Sequence, residues 1–168
     1  RLLSRGLGDV YKRQSLNRKE KGTLEITTSS EKDFYYAMGY AHALDRPTQL
    51  LLMRILGKGT ASEHLVSDDD MLEIDKFFRK MNWKSGLDIE LAKFTEEELT
   101  LAKAYCDGVN SILLKKRPIH FRLMGYKPEP WTIEDSLLIS RMTGYISLAQ
   151  SQGEVERFFL QLVQNNLS

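Results

Sequence analysis

Apolar residues recur in steps of three and four through most of this chain, a period that allows little besides packed helices. Leu99, Ala102, Cys106, Val109 and Leu113 form one such stripe, behind Thr95 to Glu98, a capping box by spacing. Leu138, Met142, Tyr145 and Ala149 form another, with Thr132 as the cap of the last long helix. A third joins Phe34, Met38, Ala41 and Asp45, capped at Ser30 with Asp33 three residues on. Proline suits a first helical turn, so Pro47 is expected to open a helix through Leu50, Leu51, Arg54 and Ile55 that glycine ends at Gly57 or Gly59. A shorter helix is expected over Asp70 to Met81, with Met71, Ile74 and Phe78 on one side. Gly153 is expected to interrupt the last helix before 154–163 resumes it. Only Thr23 to Thr28 (TLEITT) alternates with period two and is rich in β-formers, which makes it a strand. The expectation is one helix-rich unit with at least one strand.

Size and charge narrow the partners. With 168 residues, 42% of them apolar, the chain can build one compact core and hardly two. Its 24 basic and 23 acidic residues are spread along the sequence, so neither nucleic acid nor an anionic membrane is an expected partner. No apolar run reaches the roughly 18 residues of a membrane span. The one cysteine, Cys106, excludes an internal disulfide and reads as packing on its stripe. Residues 1–14 (RLLSRGLGDVYKRQ) carry no clear period and are expected to stand apart from the fold, as an adaptor-like or disordered segment. The folded unit is then 15–168, expected to be cut at both ends, with any export signal upstream of Arg1.

Several polar residues raise the question of chemistry. Asp45 shares a face with Phe34, Met38 and Ala41, so it is expected to point inward, where a carboxylate needs a cation or several donors. Arg46 and Arg54 are the nearest candidates in sequence, and a structural ion pair joining two helices is favoured over a catalytic carboxylate. His42, His64 and His120 lack metal-ligand spacing, and His42 is expected to be a hydrogen-bonded structural histidine. Asp68-Asp69-Asp70 lacks the alternating ligands and glycine of an EF-hand loop and reads as a solvated turn leading into a helix. Gly39 and Gly108 sit inside helical patterns at a cost of about 1 kcal/mol each, so another helix or strand is expected to approach closely there. No phosphate loop, serine elbow or dinucleotide fingerprint is present.

Taken in order, these residues resemble the penicillin acylase family of N-terminal-nucleophile hydrolases. The clearest block is Asp33 to Leu65, with Gly39-Tyr40, Ala43-Leu44-Asp45-Arg46, Gln49, Leu52-Met53-Arg54 and Gly59 to Glu63. Ile74 to Arg79, Ala104 to Asn110, and Gly125 to Trp131 with the helix start Thr132 to Ser136 follow with similar gaps. Leu24-Glu25-Ile26, where relatives usually carry Pro-His-Ile, and Pro47, where an apolar residue is usual, mark a divergent branch.

The resemblance implies an α+β fold, this chain being the mainly helical α-chain portion of a four-layer αββα sandwich. It implies a precursor that cuts itself, with the nucleophilic serine on the β chain, its own α-amine acting as base. The expected substrate is a linear amide with an apolar acyl group, either a penicillin side chain or an N-acyl homoserine lactone. The chain itself is then expected to be catalytically inert, with Gly144, Tyr145 and Leu148 on the acyl-pocket wall. Glu154 matches the position of a calcium-binding carboxylate, the other ligands being expected from the β chain. The expected compartment is periplasmic or extracellular. The rival expectation is a non-catalytic helical interaction module, or an inactive relative.

Overall fold

The computed structural model describes residues 15–115 and 118–165. The segment 1–14 and Arg117 lie outside them. Two strands form an antiparallel hairpin, β1 (Ser15–Arg18) and β2 (Leu24–Thr27), in register from Ser15 opposite Thr27 to Arg18 opposite Leu24. The strand expected over Thr23 to Thr28 is β2. Its partner β1 carries no alternating pattern and was not foreseen. Gly22 closes the turn at φ +79°, a conformation that glycine reaches without a Cβ penalty.

The long helices start where their caps place them. Ser30 Oγ accepts the Asp33 amide at the start of α1 (Glu31–Asp45). The helix α2 (Pro47–Lys58) opens on proline and ends at Gly59, which is left-handed. A four-residue turn, α3 (Ala61–His64), leads to α4 (Asp69–Met81), capped by Asp68; the acidic run is thus an exposed helix start. After the short α5 (Leu87–Leu91), the box of Thr95 and Glu98 opens α6 (Glu96–Leu113). The proline-punctuated connection holds α7 (Ile119–Leu123), and Thr132 caps α8 (Ile133–Gln164).

The core forms where α1 crosses α6. Gly39 on α1 faces the Tyr105 backbone, and Gly108 on α6 faces the Tyr36 and Tyr40 backbones, the close approach that two mid-helix glycines imply. Ala37, Ala41, Ala104 and Val109 are buried at this crossing, while Leu51 and Ile55 from α2 and Phe121 and Trp131 from the connection complete the core. Leu138 and Met142 bring the first half of α8 onto the body beside Leu87.

Three expectations are corrected. Gly153 does not interrupt α8, which runs unbroken for 32 residues, because an exposed helix absorbs one glycine for about 1 kcal/mol. The α8 stripe turns inward only at Leu138 and Met142; Tyr145 and Ala149 are exposed. On α4, Ile74 is exposed and the packed side carries Met71, Asp75 and Phe78 instead.

Candidate functional site

The first turn of α8 is held by a buried charge cluster. Asp135, at the third helical position, accepts from the Thr132 amide and completes a capping box. Its carboxylate also meets Arg54 Nη1 at 3.3 Å and Lys58 Nζ at 3.0 Å. Arg54 and Asp135 are 1% and 3% exposed, so this ion pair belongs to the interior. Arg54 further donates to the Glu129 carbonyl and lies 5.2 Å from the centre of the Trp131 ring. Asn110 clamps the Trp131 backbone through both amide atoms, at 2.9 and 2.6 Å. Arg54 and Asp135 thus each meet an opposite charge and backbone partners, as a buried charge requires.

Beyond Met142, α8 leaves the body. Almost every described residue from Thr143 to Gln164 is exposed, over roughly 30 Å at the rise of an α-helix. The expected pocket residues lie at the root of this projecting half. Gly144 and Leu148, one turn apart, share a face that continues through Val155 and Phe159. Leu148 is 71% exposed, and nothing stands within 4 Å of the place a Gly144 Cβ would occupy. Tyr145 is turned from that face towards the body. Its ring centre lies 5.2 Å from that of Trp83 and 6.3 Å from that of Phe77. Glu154 is exposed on the polar side of α8, with Ser147 and Gln161. Among the described residues, no group of three or more His, Cys, Asp or Glu side chains could hold a metal.

The other polar residues are structural. Asp45 is exposed, not inward, and its partner is Arg18 of the hairpin rather than Arg46 or Arg54. The inward face of α1 is instead Tyr36, Ala37, Ala41 and Ala43. His42 Nδ1 and the Tyr105 hydroxyl are 3.0 Å apart, so His42 is the hydrogen-bonded histidine expected. Burial pushes the Cys106 thiol up to about 12, which leaves it a poor nucleophile.

Sequence reasoning missed Asp75, which is 1% exposed. It accepts from the Ala61 amide (2.7 Å), the Ser62 amide (2.8 Å) and the Ser62 hydroxyl (2.6 Å), and so caps α3 from a distance. Burial alone would raise its pKa; the Ser62 hydroxyl, the two amides and Arg79 together outweigh that and hold it below the ordinary carboxylate value. A carboxylate so fully engaged is a weak base, and Ser62–Asp75 is a cap, not a nucleophile and its activator. Only the spacing of Asp75 on the packed side of α4 could have signalled its burial.

A cleft of about 420 Å³ opens beside α2, lined by Lys58, Glu63, His64, Tyr126, Lys127 and Glu129 among others. Its walls mix cations and carboxylates, so no single field selects a ligand. None of the expected site residues lines it.

A family model described as penicillin amidase matches residues 15–166. The acyl-homoserine lactone acylase QuiP of Pseudomonas fluorescens (strain Pf0-1) is 34% identical over 157 residues, covering 90% of this chain and 19% of that protein. The penicillin acylase 2 proenzyme of Pseudomonas sp. (strain SE83) is 32% identical over 127 residues, covering 74% of this chain and 16% of that protein. The chain thus spans under a fifth of the length of these relatives. A solved thermostable penicillin G acylase from Alcaligenes faecalis superposes with a TM-score of 0.70 at 24% identity, over 82% of this chain and 75% of that one. That likeness shows a shared fold.

Proposed function

The chain belongs to the penicillin amidase family, and from that premise we propose that it is the α-chain portion of an amidohydrolase acting on a linear amide with an apolar acyl group. The nucleophilic serine then stands at the start of a β chain cut from the same precursor, with its α-amine as base. The substrate is an N-acyl homoserine lactone or a penicillin side chain, and the relatives' names support both. Coverage supports the two-chain arrangement. The stretch matched here is 75% of one solved acylase chain but only 18% of the Escherichia coli penicillin G acylase.

The observation that carries the reading is the projecting half of α8. Leu148, Val155, Phe158, Phe159, Leu160 and Val163 are each more than half exposed on one helix. Exposed apolar side chains in this number on one helix mark an interaction site, even with the Gln152–Glu156 pair set among them. The β chain, as part of an αββα sandwich, would cover most of it, while Gly144 and Leu148 at its root would face the acyl group and Tyr145 would back that wall against Trp83 and Phe77. Their work is binding and exclusion of water. Cys106 and Asp75, the buried groups nearest to a nucleophile and a base, are held in states that oppose proton transfer. Calcium, if bound, would take Glu154 as one oxygen ligand and act structurally, its other ligands coming from the β chain.

Expression of the complete reading frame tests this. Cleavage into two chains, with serine first on the longer, and release of homoserine lactone or 6-aminopenicillanic acid are the expected results. A frame that stops shortly after Ser168 would sink the hydrolase reading in favour of a helical interaction module.

A further inference from the structure

We propose that Arg141 is a positioning residue for acyl recognition: it fixes where and in which direction α8 leaves the body, and thereby places Gly144 and Leu148. The inference rests on the acyl-wall assignment above. Arg141 Nη1 donates to the Trp83 carbonyl at 2.7 Å and to the Ser85 carbonyl at 2.8 Å, while Nη2 pairs with Glu90. One guanidinium thus grips the α4–α5 turn and α5 together. Gly86, left-handed at φ +72°, and the buried Leu87 shape that turn. An exposed Arg–Glu pair alone contributes little. What distinguishes Arg141 is that one planar group spans three acceptors from two nitrogens, Nη1 on the two backbone carbonyls and Nη2 on the Glu90 carboxylate, a spread that the single nitrogen of a lysine does not match.

The grip has a second half one helical turn further on. Trp83, whose carbonyl Arg141 holds, presents its ring to Tyr145, and Phe77 meets Tyr145 from α4. Among the described residues Met142 is the last buried side chain of α8, and Arg141 and the Tyr145 contact hold the helix to the body beside it. Leu148 lies seven residues beyond Arg141, about 10 Å along the axis, so a tilt of roughly 10° at the root displaces it by about 2 Å. Shifts of that size in a group that positions substrate change rates by large factors.

The test uses the complete protein and a series of amides with one leaving group and acyl chains from short to long. Leu148→Ala examines the underlying assignment. It is expected to change the ratio of kcat/KM between long and short acyl chains by about ten-fold. Arg141→Ala is expected to shift that ratio in the same direction. The double variant is expected to go no further than Leu148→Ala alone, since both act through one side chain. Glu90→Gln, which still accepts a hydrogen bond, is expected to keep the ratio near wild type. Should Arg141→Ala fail to fold, Arg141→Lys replaces it, with the same ratio as readout. If Leu148→Ala shifts the ratio while the Arg141 variant lowers all substrates in proportion, the positioning role is overturned and the acyl wall stands. If Leu148→Ala leaves the ratio unchanged, the acyl-wall reading fails, and the proposal with it.

Discussion

Replacing Gly108 by alanine should break the α1–α6 crossing. A Cβ there would stand 2.8 Å from the Tyr40 amide nitrogen and 3.0 Å from the Tyr36 carbonyl carbon, and closer still to the Tyr36 oxygen. Ordinary contact begins at 3.4 Å, and the obstacle is helix backbone, which cannot rotate aside. The two helices must therefore part by about 1 Å, loosening Ala37, Ala41, Ala104 and Val109 in a core packed at crystal-like density. Overpacking of this kind costs about 3 kcal/mol, against which alanine regains about 1 kcal/mol of helix propensity. The net loss of about 2 kcal/mol corresponds to a fall in Tm of about 4–8 °C for a chain of this size. Urea denaturation followed by far-ultraviolet circular dichroism measures it. Gly153→Ala is the control: nothing lies within 4 Å of its Cβ position, so that variant should gain up to about 1 kcal/mol. If the two alanines have the same effect, the close approach does not limit this fold. Gly39→Ala meets the same interface, so the pair should cost less than the sum of the single variants.

Other perturbations probe the buried polar groups. Arg54→Ala should destabilise by about 3 kcal/mol in a denaturant titration, because it removes the buried partner of Asp135 and leaves the part-exposed Lys58 as its one cation, and more than replacement of both Arg54 and Asp135 by apolar residues. Asp75→Ala should cost about 2 kcal/mol by leaving the Ala61 and Ser62 amides unpaired. The native pKa of Asp75 is lowered from 3.8, so its contribution is present above that value and fades as pH falls through the native pKa. The stability gap between wild type and Asp75→Ala should accordingly narrow in acid. Cys106 should resist a thiol reagent at neutral pH until the chain unfolds. Its neutral thiol contributes stability below 9.0 that is lost as pH rises towards about 12.

Much of the helical framework was legible because its signals are local. Ser30, Thr95 with Glu98, and Thr132 announce helix starts, since a cap is a hydrogen bond across three residues. Gly39 and Gly108 announced a close crossing, since nothing else justifies two such residues inside helices. The pairing of charges was not legible. Asp45 and Arg18 are 27 residues apart and Arg54 and Asp135 are 81 apart, and no local pattern encodes partners at that distance. The face containing Asp45 was misjudged because Phe34, the apolar residue that suggested it, is 41% exposed.

The sequence by itself determined the helix-rich class, the order of the helices and the family, because periodicity, caps and motif spacing are properties of neighbouring residues. Tertiary structure decided which way each stripe faces and what each buried charge meets. The last helix shows the difference most clearly. Its apolar period runs past Met142 to Tyr145 and Ala149, yet among the described residues burial ends at Met142 and most of the remainder is exposed. A hydrophobic period records that a surface is to be buried; only the arrangement of the other elements decides whether this chain supplies the cover.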